Sequence, residues 1–339
     1  MGKNTYDFKK VLTILLLILL FIFIIAVGLG RYYISPIQVL KIITSKFIPI
    51  NIAWTTQEEA IIFNLRIPRI IVSMLVGMAL SISGASYQSV FKNPLVAPDM
   101  LGVSSGACVG AAMAILLNFN GNTVQIMAFS GGILAVIMVS IITKVIKNNS
   151  TVTLIFAGII ISGLMNSILG LLKYIADADT QLASITYWQL GSFSTVVWSD
   201  VMSIAFPVAI TVSVLIGLSW RINILSLGDN EARTLGADIV KLRGVIVVCS
   251  TILTSTSICV CGTISWVGLI IPHLGRMLVG ADNQKAIPVS GLIGAGFLLF
   301  IDTLARLTTS AELPVSILTG LFGTPFYLYL LLKHRTRLI

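Results

Sequence analysis

From Met100 to Thr143 the chain carries no charged residue. A stretch of that length cannot be a helix with one face in water, because such a helix needs polar residues every turn or two. It suits a chain whose solvent is hydrocarbon, where roughly 20 apolar residues carry a helix across. It is also too long for one crossing, and Asn118-Phe119-Asn120-Gly121-Asn122 supplies a turn near its middle. The rest of the chain agrees. Only 10% of the 339 residues are charged and 56% are hydrophobic, against roughly 25% charged in soluble domains. A water-facing surface could not be covered with so few charges. The net charge of +9 fits cytoplasmic loops that collect Lys and Arg better than it fits nucleic acid.

The apolar runs predict ten crossings in one all-α domain, at about 11–30, 70–91, 100–117, 123–143, 153–172, 201–220, 244–261, 263–280, 287–303 and 313–332. The first run lacks a small-residue cleavage site and reads as a retained span. The split at Gly262 rests on the least signal. With both termini inside, 15 of the 22 basic residues are cytoplasmic, from Lys3 to Arg337, and 7 are outside: Arg31, Lys41, Lys46, Arg66, Arg69, Lys173 and Arg306. That asymmetry supports the orientation. Spans two to five and seven to ten form two blocks of four on either side of a single odd crossing. The blocks therefore run in opposite senses, the inverted-repeat plan of many transporters.

Four segments outside the spans carry the functional signal. Asn93-Pro94 to Ala107 ends span two with prolines and continues as a helix of small residues, suited to tight packing or to a sliding wall. Residues 221–243, RINILSLGDNEARTLGADIVKLR, lie on the inner face and read as two short helices. Asp229 caps the first, with Glu231 in its first turn and Gly236 at its end. Asp238 caps the second, which ends at Lys241 and Arg243. A folded knob of this kind reads as a docking surface for a cytoplasmic partner. The outer connection from Asp177 to Trp198 holds Tyr187 and Trp188 and reads as an interfacial helix. Arg66, Arg69 and Arg306 run against the inside bias, and either snorkel to lipid headgroups or pair with carboxylates of an outer partner.

Cys108, Cys249, Cys259 and Cys261 lie in apolar runs without metal spacing and read as packing residues. His273 after Pro272 reads as structural. Asp302 is an intramembrane carboxylate that binds backbone or Arg306, or serves as an ion ligand. No Gly-x-x-x-x-Gly-Lys-[Ser/Thr] loop occurs, so ATP would be hydrolysed by another subunit. A secondary transporter and an intramembrane enzyme are the rival classes. The first needs midplane ion ligands beyond Asp302, and the second needs paired acid and base residues within the spans.

The stretches ISGASYQSVFKNPLVAPDMLGVSSGA from Ile82, WQLGSFS from Trp188, LGDNEARTLG from Leu227, GTISWVGLIIPHLGRMLVGAD from Gly262 and DTLARLTTSAELPVSILTGLFGTPFYLYLL from Asp302 resemble, in order and spacing, the FecCD-type permeases. These are the membrane subunits of ATP-binding cassette (ABC) importers for iron–siderophores, haem and vitamin B12. The resemblance runs from Arg66 to the C-terminus. It implies a type II ABC importer permease fold and a dimer with an identical or paralogous second permease. It further implies two cytoplasmic ATP-binding subunits and a substrate-binding protein outside a bacterial cytoplasmic membrane. It implies no cofactor. By the same resemblance Leu227, Gly228, Glu231, Ala232, Arg233, Leu235 and Gly236 couple to the ATPase, and Arg66, Arg69 and Arg306 dock the binding protein. Ser150, Thr151, Val152 and Thr153 form a cytoplasmic gate, and the favoured cargo is an iron–siderophore. Asp99 and Met100 depart from the commoner family residues.

Overall fold

The computed structural model describes residues 7–46, 48–49, 54–147, 150–309 and 311–335; Lys3 and Arg337 of the charge count lie outside them. In chain order the helices are α1 Phe8–Gly28, α2 Pro36–Thr44, α3 Thr56–Ala60, α4 Ile67–Val90, α5 Val103–Leu116, α6 Gly121–Ile146, α7 Thr151–Ile175 and α8 Gln181–Leu190. They continue with α9 Trp198–Gly217, α10 Ser219–Leu227, α11 Asp229–Thr234, α12 Ile239–Cys261, α13 Val267–Val279, α14 Asn283–Thr308 and α15 Val315–Arg335. Among the described residues seven helices are long and apolar enough to cross a membrane. Three shorter apolar helices, Val103–Leu116, Val267–Val279 and Val315–Tyr329, accompany them.

Two boundaries differ from the sequence expectation in informative ways. A π-helical stretch, Ile61–Arg66, joins α3 to α4, so the rod is continuous from Thr56 to Val90. Pro68 offers no amide and its ring crowds the carbonyl four residues back. The wider turn just before it, with the Ile67 amide bonded to the Ile62 carbonyl, absorbs that misfit. The second helix of the inner knob, expected to be short, is the first turn of α12. Asp238 does cap it, accepting from the Lys241 amide at 3.1 Å, but nothing after Arg243 breaks the helix before Gly262.

The packing repeats itself. α4 lies against α13 and α14, and α12 lies against α5 and α6 in the same way. α5 packs on α6 as α13 does on α14, and α6 on α7 as α14 on α15. α4 and α12 touch each other, and α9 touches both. The two first helices of the blocks are thus the shared centre. In the most apolar window of each, 78% of residues are buried, against 28% for α1 and α7.

Burial explains why these two central helices are so rich in Ser and Thr. Buried inside the bundle, their hydroxyls turn back onto carbonyls of the preceding turn, as Ser86 does to Ile82 (2.9 Å) and Thr254 to Ser250 (2.8 Å). They also reach across, Ser83 to the Ser250 carbonyl (3.3 Å) and Tyr87 to the Val247 carbonyl (3.4 Å). Interhelical bonds of this kind contribute on the order of 0.5–2 kcal/mol each in a membrane. Backbones also approach closely. A Cβ on Gly84 would run into the Gly268 carbonyl, and one on Gly77 into that of Gly294. The small residues of α5 serve the same end, with Gly106 set against Gly131 of α6. Large exposed side chains such as Phe21, Ile126, Phe156 and Phe206 make up an apolar exterior of the kind lipid covers.

Candidate functional site

Two clusters at opposite ends of the bundle hold the polar residues singled out by sequence. The one expected to lie inside is α10–α11–α12. α11 is a six-residue helix held between two glycines. At its end the Gly236 amide bonds to the Arg233 carbonyl (2.9 Å) and the Ala237 amide to that of Ala232 (3.0 Å). That pair of hydrogen bonds closes the helix only with a left-handed residue, which Gly236 supplies at φ +77°. The cap at its start is Gly228 and not Asp229 as the sequence reading had it. Asp229 instead turns to α12, where its carboxylate accepts from Arg243 at 3.0 Å. Ala232 is fully buried beneath the helix, and Leu227 and Leu235 stand out at 64% and 60% exposure. Glu231 and Arg233 are exposed on the same knob.

The knob is wired to the core by residues that sequence reasoning missed. Asn223 of α10 donates to Asp282 at 2.7 Å and accepts from the Asn283 amide at 2.8 Å, at the start of α14. Asn283 in turn accepts from Ser89 of α4 at 2.7 Å. A displacement of α10–α11 therefore reaches α4, α12 and α14 through specific bonds. These partners lie about 60 and 190 residues apart in sequence and leave no local signal. The neighbouring inner turn holds Ser150, which caps α7 by accepting from the Thr153 amide at 3.2 Å. Thr151 and Thr153 are half-buried there, and Val152 is 59% exposed.

At the opposite end, the one expected to face outward, Arg66, Arg69 and Arg306 converge, but not on the surface. Their exposures are 6%, 8% and 7%. Arg66 donates to the carbonyls of Val27 (2.6 Å), Gly28 (3.1 Å) and Tyr32, and Arg306 to that of Ala26 (3.2 Å). Those of Ala26, Val27 and Gly28 belong to the last turn of α1, beyond the reach of its own amides, where the helix dipole also favours a cation. Arg69 binds Asp302 through Nε (2.9 Å) and Nη2 (2.7 Å), and its Nη1 lies 2.9 Å from Glu312. Arg306 Nε sits 3.4 Å from the other oxygen of Asp302. The sequence reading offered Asp302 as a partner of Arg306 but otherwise left these guanidiniums facing out. The structure turns them in because Asp302, fully buried, cannot stay charged in the bundle without partners. Glu312 is the outward member, with 22% of its side chain exposed.

The outer connection forms α8 as expected. Asp177 accepts from the Thr180 hydroxyl at 2.6 Å, and that bond holds its carboxyl below the usual range. The four cysteines are buried, and among the described residues no three His, Cys, Asp or Glu gather at metal-binding distance.

A sequence model described as the FecCD transport family matches residues 17–333. The chain is 38% identical to the "Molybdate import system permease protein MolB" of Haemophilus influenzae, over 96% of each chain. It is 40% identical to the "Probable iron chelatin transport system permease protein" of Helicobacter pylori, over 81% of this chain and 83% of that one. A solved structure of a metal-chelate type ABC transporter in an inward-facing conformation superposes with a TM-score of 0.87 at 37% identity. It covers 96% of this chain and 99% of the other.

Proposed function

The chain belongs to the FecCD transport family and is a multi-pass permease subunit of an ABC importer, and from that premise we propose that it forms, with a second permease, the path of an iron–siderophore complex across the bacterial cytoplasmic membrane. Seven long and three shorter apolar helices supply ten crossings, with both termini and the α10–α11 knob on the inner side. Two ATP-binding subunits dock on Leu227–Gly236, and their closure moves α11. The observation that carries this reading is the wiring of that exposed knob into the buried centre through Asp229–Arg243 and Asn223–Asp282. The turn at Ser150–Thr153 lies at the same end and acts as the inner gate.

The cargo has a second reading. The match to a molybdate permease spans 96% of both chains, so a small oxyanion competes with a metal chelate. Uptake into proteoliposomes holding the permease, the ATP-binding subunits and the binding protein separates them. Iron delivered as a siderophore complex should accumulate with ATP, and accumulation of labelled molybdate alone would overturn the chelate reading. Uptake that persists without the ATP-binding subunits would overturn the ABC mechanism itself.

Docking of the binding protein centres on Arg69, whose outward partner Glu312 is part-exposed. An acidic side chain of the binding protein competes with Glu312 for the same guanidinium. Glu312→Gln is therefore expected to tighten binding-protein affinity at low salt by roughly fivefold, the scale of one part-exposed charge pair of about 1 kcal/mol. Unaltered affinity would leave the three arginines with a purely internal role.

A further inference from the structure

Between α6 and α12, with Leu154 of α7 at one edge, runs a groove of about 590 Å³. On one wall Ile133, Ile137 and Ile141 follow one another at helical spacing, and on the other Val240, Gly244 and Val248 do the same. Ile137, Ile141, Val240 and Val248 are each about half exposed, so the groove opens sideways from the bundle. From Ile133 to Lys144 it extends about 16 Å along α6 at 1.5 Å per residue. A single leaflet of hydrocarbon is about 15 Å deep. The apolar length therefore ends where a headgroup begins, and there the lining changes character. Lys144, exposed, and Arg243, paired with Asp229 at 3.0 Å, both line that end, and among the described residues no acidic residue lines the groove itself.

We propose that this groove is a binding site for an anionic phospholipid of the inner leaflet, its acyl chain along α6 and α12 and its phosphate at Lys144 and Arg243. A second protein helix would fill the apolar walls equally well, but it would gain nothing from the exposed Lys144 cation at one end, Arg243 being already paired with Asp229 at 3.0 Å. A zwitterionic lipid would fill the groove but bring no net negative charge to Lys144. The site depends on the chain lying in a bilayer and on no assumption about cargo.

The test uses the full chain in detergent, supplied with equal amounts of phosphatidylglycerol and phosphatidylcholine, with retained lipid read by native mass spectrometry. Wild type should retain phosphatidylglycerol over phosphatidylcholine by roughly fivefold or more, the scale of one juxtamembrane cation. Lys144→Gln, at an exposed position that folding does not need, should remove most of that preference. Val248→Trp, at a half-exposed position, should fill the groove and lower retention of both lipids. Equal retention by wild type, or a preference that Lys144→Gln leaves intact, would overturn the proposal. So would a Val248→Trp protein that loses self-association while its bound lipid is unchanged, since a second copy would then be the occupant.

Discussion

Asp302→Ala should destabilise the folded chain by about 3–5 kcal/mol, the usual scale for removing one partner of a buried ion pair. The carboxylate is fully buried and serves two guanidiniums, Arg69 at 2.7 Å and Arg306 at 3.4 Å. Without it, two cations below 9% exposure face one part-exposed acid, Glu312, and the carbonyls that end α1. The loss should appear as lower yield in the membrane and a lower melting temperature in detergent. Adding Arg69→Met to Asp302→Ala should recover part of it, because one stranded charge is then gone. A melting temperature unchanged by Asp302→Ala would mean that water or lipid headgroups already solvate these arginines. The same geometry bears on the rival in which Asp302 ligates a coupling ion. Its two oxygens are already engaged by Arg69 and Arg306, so an ion would first have to displace a guanidinium.

The second large effect is expected at the opposite end of the molecule. Glu231→Arg should reduce ATP-driven uptake by roughly 10- to 100-fold, because like charges brought together in an interface cost several kcal/mol. Insertion and folding should survive. Glu231 is exposed in the first turn of α11, and its loss there removes only about 0.3–1 kcal/mol of favourable interaction with the helix dipole. The distinction between coupling and folding is read by measuring uptake and membrane content of the same variant. Normal uptake would place the ATPase contact elsewhere than α11. Loss of uptake together with loss of the protein from the membrane would contradict the view that α11 is a surface element.

The fold was legible in the sequence where one residue type carries a local physical meaning. Uncharged runs of about 20 residues marked the long apolar helices, Asp238 marked a helix start, and Gly236 marked a helix end. The repeat was legible only as a count of runs. That α4 and α12 form the common centre appears from their contacts, and their many Ser and Thr residues are intelligible once both are seen to be buried. What sequence could not provide was direction and long-range pairing. Arg66, Arg69 and Arg306 stood out as unusual for the side on which the sequence put them. Whether they faced out or in depended on Asp302, 233 residues from Arg69 along the chain, and on the carbonyls that end α1. Asp229 was read as a cap because short-range capping is its commonest role; Arg243, 14 residues on, won it instead. Asn223 and Asn283 gave no signal, because each is an ordinary polar residue until the fold brings them together; Asp282 gave only the local one of a helix cap, accepting from the Gln284 amide at the start of α14.

The central claim is that the apolar helices thread the membrane so that α11 lies inside and the α7–α8 connection outside. A membrane-impermeant thiol reagent applied to intact cells tests it most directly, with Glu231→Cys and Asp179→Cys as reporters; both positions are exposed and the four native cysteines are buried. The account predicts that Asp179→Cys is labelled in intact cells and that Glu231→Cys is labelled only after the membrane is opened. Labelling of Glu231→Cys in intact cells, with Asp179→Cys protected, would contradict it.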